Sequence, residues 1–230
     1  MSEIDNPHKH HRQRLRHRFL QEGLGSFKKH NILELLLFYS LPRKDTNEIA
    51  HRLIEKFGSL SAVFDADYEA LIACDGISEN TATLLKFVPQ LARAYLIDKD
   101  TRYSTFGDSE KLGKFLVNYF IGEPREKLIA IFMNNRMEMI DITVISTGTV
   151  SSSEISVRKI TEAGFAKKAA SFILAHNHPD GNASPSDNDL IITNEYRALF
   201  KKLGMPLIEH YVIGGSSYKT ICGFESAPFL

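Results

Sequence analysis

Cysteine is nearly absent: Cys74 and Cys222 are the only two, and neither has a second thiol at CxxC spacing. This excludes a disulfide framework and a thiolate zinc knuckle, and it makes both residues expected apolar fillers of a core. Net charge is also missing. Lys plus Arg and Asp plus Glu balance at 28 each, so the overall charge gives no reason to expect nucleic acid as a partner. Long hydrophobic runs are absent too. The longest, Ile32 to Leu41, is broken by Glu34 and is too short to cross a bilayer. The N-terminus is polar and basic, without an apolar signal segment, so a cytoplasmic protein with no membrane partner is expected. No internal repeat or low-complexity tract is present.

What remains is enough for a sizeable core: 230 residues, 43% of them hydrophobic, which fits one or two soluble domains. Residues 12–97 read as all-helical. Ile32, Leu35, Leu36 and Tyr39 recur at helical spacing, as do Ile49, Leu53 and Phe57, and the second of these helices should stop at Gly58. A turn at Asp75-Gly76-Ile77-Ser78 precedes a helical run from Ala82 to Tyr95, giving a bundle of short helices. Before it, Lys9 to Arg18 carries five cations, three histidines and no acid. This run is either a contact for a phosphate backbone or a solvated basic helix face.

The polar stretch 98–105 interrupts the periodicity, and the expected domains are therefore 1–100 and 101–230. Leu128 to Met133 and Met139 to Ile145, joined by Asn134-Asn135-Arg136, read as a hairpin. A helix over 158–170, a short buried strand over 171–175, a helix over 186–203, a strand over 207–213 and a last strand near 218–222 complete an α/β domain with a mixed sheet. The chain as a whole is α+β.

The chemistry concentrates in A-H-N-H-P-D-G-N-A-S-P-S-D-N-D, residues 175–189, which leaves the buried strand and enters a helix. Residues two apart in extended backbone project to the same side, so His176 and His178 can present two imidazoles to one ion. Pro179 ends the strand, and Asp189 on the first turn of the next helix can return a carboxylate to the same point. Two imidazoles, a carboxylate and an open position describe a catalytic zinc centre rather than a closed structural one. Two plainer readings stand beside this one. Ser186-x-x-Asp189 is a capping-box pattern, and H-x-H can be a polar loop without metal. The donor set also accepts Fe(II), Mn(II) or Co(II).

The pattern H-N-H-P-x-G-x-x-x-P-S-x-x-D resembles the signature of the RadC family, within the JAMM (MPN+) metalloprotein domains. Gly148-Thr149-Val150, Ile208 to Gly214, Arg14-Leu15-Arg16, Glu34 to Leu37, Phe57 to Leu60 and Gly76-Ile77-Ser78 also look like landmarks of that family. The resemblance implies a cytidine-deaminase-like second domain binding one zinc ion per chain through His176, His178 and Asp189. Ser186 matches the serine that donates to a developing oxyanion. Glu126 matches the acid that serves as general base toward the attacking water; without the resemblance it reads as an ordinary surface acid. In JAMM relatives the bond cleaved is a peptide or isopeptide bond. Two departures stand out: Lys159 follows Arg158 where an acid is common, and Glu209 precedes His210 where Asp is usual.

In the first domain, Leu71-x-x-x-x-Gly76-Ile77-Ser78-x-x-x-Ala82 resembles a helix-hairpin-helix, whose backbone amides cradle phosphate without reading bases. Ser78 replaces a commoner Gly, and Asp75 and Glu79 oppose an anion. The expectations are therefore a zinc hydrolase of peptide or isopeptide bonds or, alternatively, a DNA-repair-associated protein with affinity for DNA of any sequence.

Overall fold

The computed structural model describes residues 10–100, 109–148 and 153–223. Residues 101–105 of the expected linker, Lys9, and Thr149-Val150 lie outside them. The chain divides into two compact units, 1–91 and 92–230, so the division falls within a long helix, ahead of the polar stretch.

The first unit is helical as expected: α1 (His11–Glu22), α2 (Lys29–Ser40), α3 (Thr46–Phe57), α4 (Leu60–Asp65), α5 (Tyr68–Ile72) and the start of α6 (Glu79–Asp100). Asp45 caps α3 by accepting the Asn47 amide, and Gly58, in the left-handed conformation at φ 89°, ends it. The core joins Leu33 and Leu37 of α2 to Ile49 and Leu53 of α3, with Val63, Leu71 and Leu85. The α2 stripe differs from the expected one. Leu35 and Phe38 pack with Leu15 and Phe27 in a second small cluster, while Tyr39 is 70% exposed. An α2 covered on two sides has no single apolar stripe to read. Much of the basic run is engaged internally. Arg12 donates to the Leu41 and Lys44 carbonyls at 2.8 and 2.6 Å, and Arg18 donates to the Ser26 carbonyl.

The second unit is a three-layer structure. Its sheet contains β1 (Lys127–Met133), β2 (Met139–Thr147), β3 (Ser171–His178), β4 (Leu207–Gly214) and β5 (Ser217–Thr220), in the order β2-β1-β3-β4-β5. Only β3 and β4 run parallel. Alternation along β3 serves two cores. Ile173 and Ala175 pack toward Leu112, Phe115 and Leu116 of α7 (Ser109–Tyr119). Phe172 and Leu174 pack toward Ile160 of α8 (Ser153–Ala166) and toward Tyr196 and Phe200 of α9 (Asp187–Lys202).

Several boundaries differ from those expected. The helix α7 was not anticipated. The helix α8 starts and ends earlier than 158–170, because Lys168 takes a left-handed φ of 54° and the Ala169 amide closes back on the Gly164 carbonyl at 2.9 Å. Strand β5 ends at Thr220; the Cys222 amide turns instead to the Glu209 carboxylate at 2.7 Å. Neither cysteine is a fully buried filler. Cys74 accepts from the Lys56 ammonium at 3.2 Å, and burial together with the neighbouring Glu209 pushes the half-buried Cys222 thiol up to about 12. Among the described residues no helix is long and apolar enough to cross a membrane.

Phe172 is fully buried, with the rings of Phe200 and Phe132 at 4.8 and 6.3 Å. Phe172→Ala is expected to cost about 3–5 kcal/mol by opening a cavity between β3 and α9. Tyr39→Ala should stay within about 0.5 kcal/mol. Urea denaturation of the two variants beside the parent protein checks both.

Candidate metal centre

The buried strand β3 carries His176, Asn177 and His178 at its end, and alternation splits them between the two faces of the sheet. His176 and His178 share the α9 side with Leu174. Their Nε2 atoms lie 3.0 Å apart. Asp189, in the first turn of α9, brings its carboxylate to 3.4 Å from His176 Nε2 and 3.6 Å from His178 Nε2. Among the described residues this trio alone gathers three side chains able to hold a metal ion. Separations of 3.0–3.6 Å suit ligand atoms that each stand about 2.0–2.2 Å from a shared centre.

The surroundings of each ring decide which nitrogen is bare. His178 Nδ1 lies 2.8 Å from the Asn182 carbonyl. A carbonyl can only accept, so the proton sits on Nδ1 and the Nε2 lone pair is free. The Asp-Gly turn supplies that carbonyl, and its seat depends on Gly214. A Cβ at Gly214 would stand 2.2 Å from the Ala183 nitrogen and 2.6 Å from the Gly181 carbonyl oxygen.

Asp189 is held by the capping box. Its Oδ2 accepts the Ser186 amide at 2.8 Å and the Ser186 hydroxyl at 2.7 Å, while the Asp189 amide donates to Ser186 Oγ at 3.2 Å. The capping reading and the ligand reading therefore describe one arrangement, because both cap donors load Oδ2 and leave Oδ1 toward His176. Burial alone would raise the Asp189 pKa. A proton on His176 Nε2, when that ring carries one, and the Ser186 hydroxyl and amide act the other way and hold the carboxyl below its usual range. Asp189 is thus ionised at neutral pH. Ser186 Oγ has its one proton on Asp189.

Glu126 precedes β1 and lines a cavity of about 50 Å³ shared with His176, Asp189, His210 and Tyr196. That volume admits a water or two. Its position comes from two contacts that sequence reasoning did not find. The Gly148 amide donates to the Glu126 carbonyl at 2.7 Å. Asn177, on the opposite face from the histidines, accepts the Lys127 amide at 2.9 Å and donates to the Arg125 carbonyl at 3.1 Å. One strand end thus carries the imidazoles on one face and the clamp for the Glu126 segment on the other. Lys159, the cation where an acid is common, donates to the Ile145 carbonyl at 2.8 Å and so anchors β2.

A fully buried His210 also stands here, with Nε2 2.9 Å from His176 Nδ1. Burial first, and then the neighbouring His176, pushes its pKa down to about 3, so the ring is neutral.

The RadC-like JAB domain matches residues 106–224. The chain belongs to the RadC family. It is similar to a UPF0758 protein of Fusobacterium nucleatum, 39% identical over 227 residues, covering 95% of this chain and 96% of that one. UPF0758 proteins of Paraburkholderia xenovorans and Paraburkholderia phytofirmans are each 30% identical over 202 residues, covering 88% of this chain and 80% and 78% of theirs. The second unit of this RadC-family chain accordingly has the JAMM-type, metal-dependent fold, and its His-His-Asp cluster is a possible metal site.

Gly214→Ala is expected to displace the Gly181–Ala183 backbone, remove the acceptor from His178 Nδ1 and weaken the binding of any divalent ion the trio takes up about tenfold, with the far-UV circular dichroism unchanged. Competition with a chromophoric chelator reads the affinity.

Proposed function

We propose that this RadC-family protein is a zinc-dependent hydrolase of peptide or isopeptide bonds. The observation that carries the reading is the meeting of two imidazole Nε2 atoms and a carboxylate within 3.6 Å of one another, the donor set and spacing of a three-ligand metal site. His176, His178 and Asp189 would hold one zinc ion per chain, the three-ligand donor set of catalytic zinc sites. A bound zinc ion supplies Lewis acidity, lowering the pKa of water to about 7 and polarising a carbonyl oxygen.

The protein's own residues supply the rest. Glu126, facing the same cavity as His176 and Asp189, takes a proton from the attacking water and returns it to the leaving amine. Water and one amide thus become a carboxylic acid and an amine, which ionise to carboxylate and ammonium as the water's second proton passes to the amine. Ser186, whose hydroxyl rests on Asp189 Oδ2, turns its proton to the developing oxyanion. The cavity accepts only the reacting group, so the peptide on either side lies across the surface.

A second reading concerns the first unit. The Asp75-Gly76-Ile77-Ser78 hairpin has two cations against it: Lys44 Nζ lies 3.4 Å from the Gly76 carbonyl and Arg52 3.5 Å from the Asp75 carboxylate. With Arg14 and Arg16, these support binding of a DNA backbone regardless of sequence. A DNA mobility shift that weakens with salt and is lost in Arg14→Ala/Arg16→Ala is the expected outcome.

For the leading reading, the expected results are about one zinc per chain by mass spectrometry, loss of that zinc in His178→Ala and its retention in Glu126→Gln. Hydrolysis of peptide or isopeptide substrates should fall by about 100-fold or more in Glu126→Gln. Failure of the zinc-supplemented wild type to hold metal, or a Glu126→Gln variant as active as the parent, would refute the proposal.

A further inference from the structure

His210 and Thr193 touch the centre without contributing a ligand to it. Thr193 sits one helical turn after Asp189 in α9, and its hydroxyl lies 2.5 Å from the Asp189 carbonyl. A carbonyl only accepts, so the Thr193 proton points there and its oxygen is left as an acceptor. His210 Nδ1, 2.6 Å from that oxygen, must therefore carry a proton. The ring is buried and meets His176 nitrogen to nitrogen, so with its proton on Nδ1 it turns a bare Nε2 to His176 Nδ1 at 2.9 Å. His176 in turn must carry its proton on Nδ1, leaving Nε2 bare toward His178 and Asp189. Every proton in the series is placed by one backbone carbonyl at its far end.

We infer that Thr193 and His210 are positioning residues that fix the tautomer and ring orientation of His176, and so prepare it as a metal ligand before any ion arrives. The circuit closes on the other ligand, since the carbonyl that starts it belongs to Asp189. The inference rests on the metal-centre reading for its purpose, though not for its geometry.

A bulge aims His210 into this position. Phe172 pairs with Leu207, yet Leu174 pairs with His210, so β4 holds one residue more than β3 between these rungs. Leu207 packs toward α9, and an unbroken strand would put Glu209 beside His176 in place of His210. The Glu209 carboxylate accepts the His210 amide and the Cys222 amide, both at 2.7 Å, and so satisfies the donors that the bulge diverts.

Two readouts on the full-length protein test this. In the metal-free protein, side-chain ¹⁵N shifts of His176 should report the Nδ1–H tautomer in wild type and a mixture in Thr193→Val. Zinc affinity, measured by chelator competition, should fall about 10–100-fold in His210→Leu and about tenfold in Thr193→Val. In His210→Gln, whose amide oxygen can accept from His176 and whose nitrogen can donate to Thr193, much of that affinity should return. A wild-type His176 protonated on Nε2, or a folded Thr193→Val with unaltered tautomer and affinity, would overturn the inference. Thr193→Val keeps the test available where His210→Leu fails to fold. Failure of the wild type to bind zinc sinks the metal reading alone, because the tautomer in the metal-free protein still decides the relay.

Discussion

Two imidazole nitrogens at 3.0 Å, each ring keeping its proton on the far side, turn lone pairs toward one another and toward a carboxylate. Such a meeting costs free energy unless positive charge stands between the groups. The second unit is arranged to maintain it. The strand end that carries the histidines lies between β1 and β4, where backbone pairing on both sides prevents the rings from separating by a strand shift. The capping box that starts α9 fixes Asp189. The Gly181–Ala183 turn, admitted by the missing side chain at Gly214, supplies the acceptor for His178.

These supports come from different parts of the chain and share one property: each ends on a backbone group. Asn182 offers a carbonyl to His178, Asp189 offers one to Thr193, and the Ser186 amide donates to Asp189. Backbone groups set by secondary structure have no rotamers to lose, so the candidate ligands are oriented at little entropic cost. The same strand end governs the cavity floor, since Asn177 clamps the segment bearing Glu126 from the other face. The geometry of the three candidate ligands and the placement of Glu126 are therefore coupled through three consecutive residues.

Much of the site was legible because its pattern is local. His176 and His178 stand two apart on a strand, Pro179 and the Asp-Gly turn follow, and Asp189 falls in the first turn of a capped helix. Glu126 could be named only through family resemblance, because nothing near it in sequence distinguishes it from a surface acid. The contacts of Asn177, His210 and Thr193 were not legible. Asn177 acts on residues fifty positions earlier, and the bulge that brings His210 to the α9 face has no Gly or Pro to mark it. Leu112, Phe115, Leu116 and Tyr119 do carry the helical period of α7, but they adjoin a polar stretch that obscured the helix. The α2 stripe misled because that helix is buried on two sides.

In the proposed function two imidazole Nε2 atoms and one carboxylate bind a single divalent ion with a position left open. X-ray absorption at the zinc edge of the zinc-loaded full-length protein tests it most directly. The expected first shell has about four nitrogen and oxygen neighbours near 2.0–2.1 Å, two of them imidazoles, and no sulfur. A sulfur shell from Cys74 or Cys222, or a shell without imidazole scattering, would contradict it.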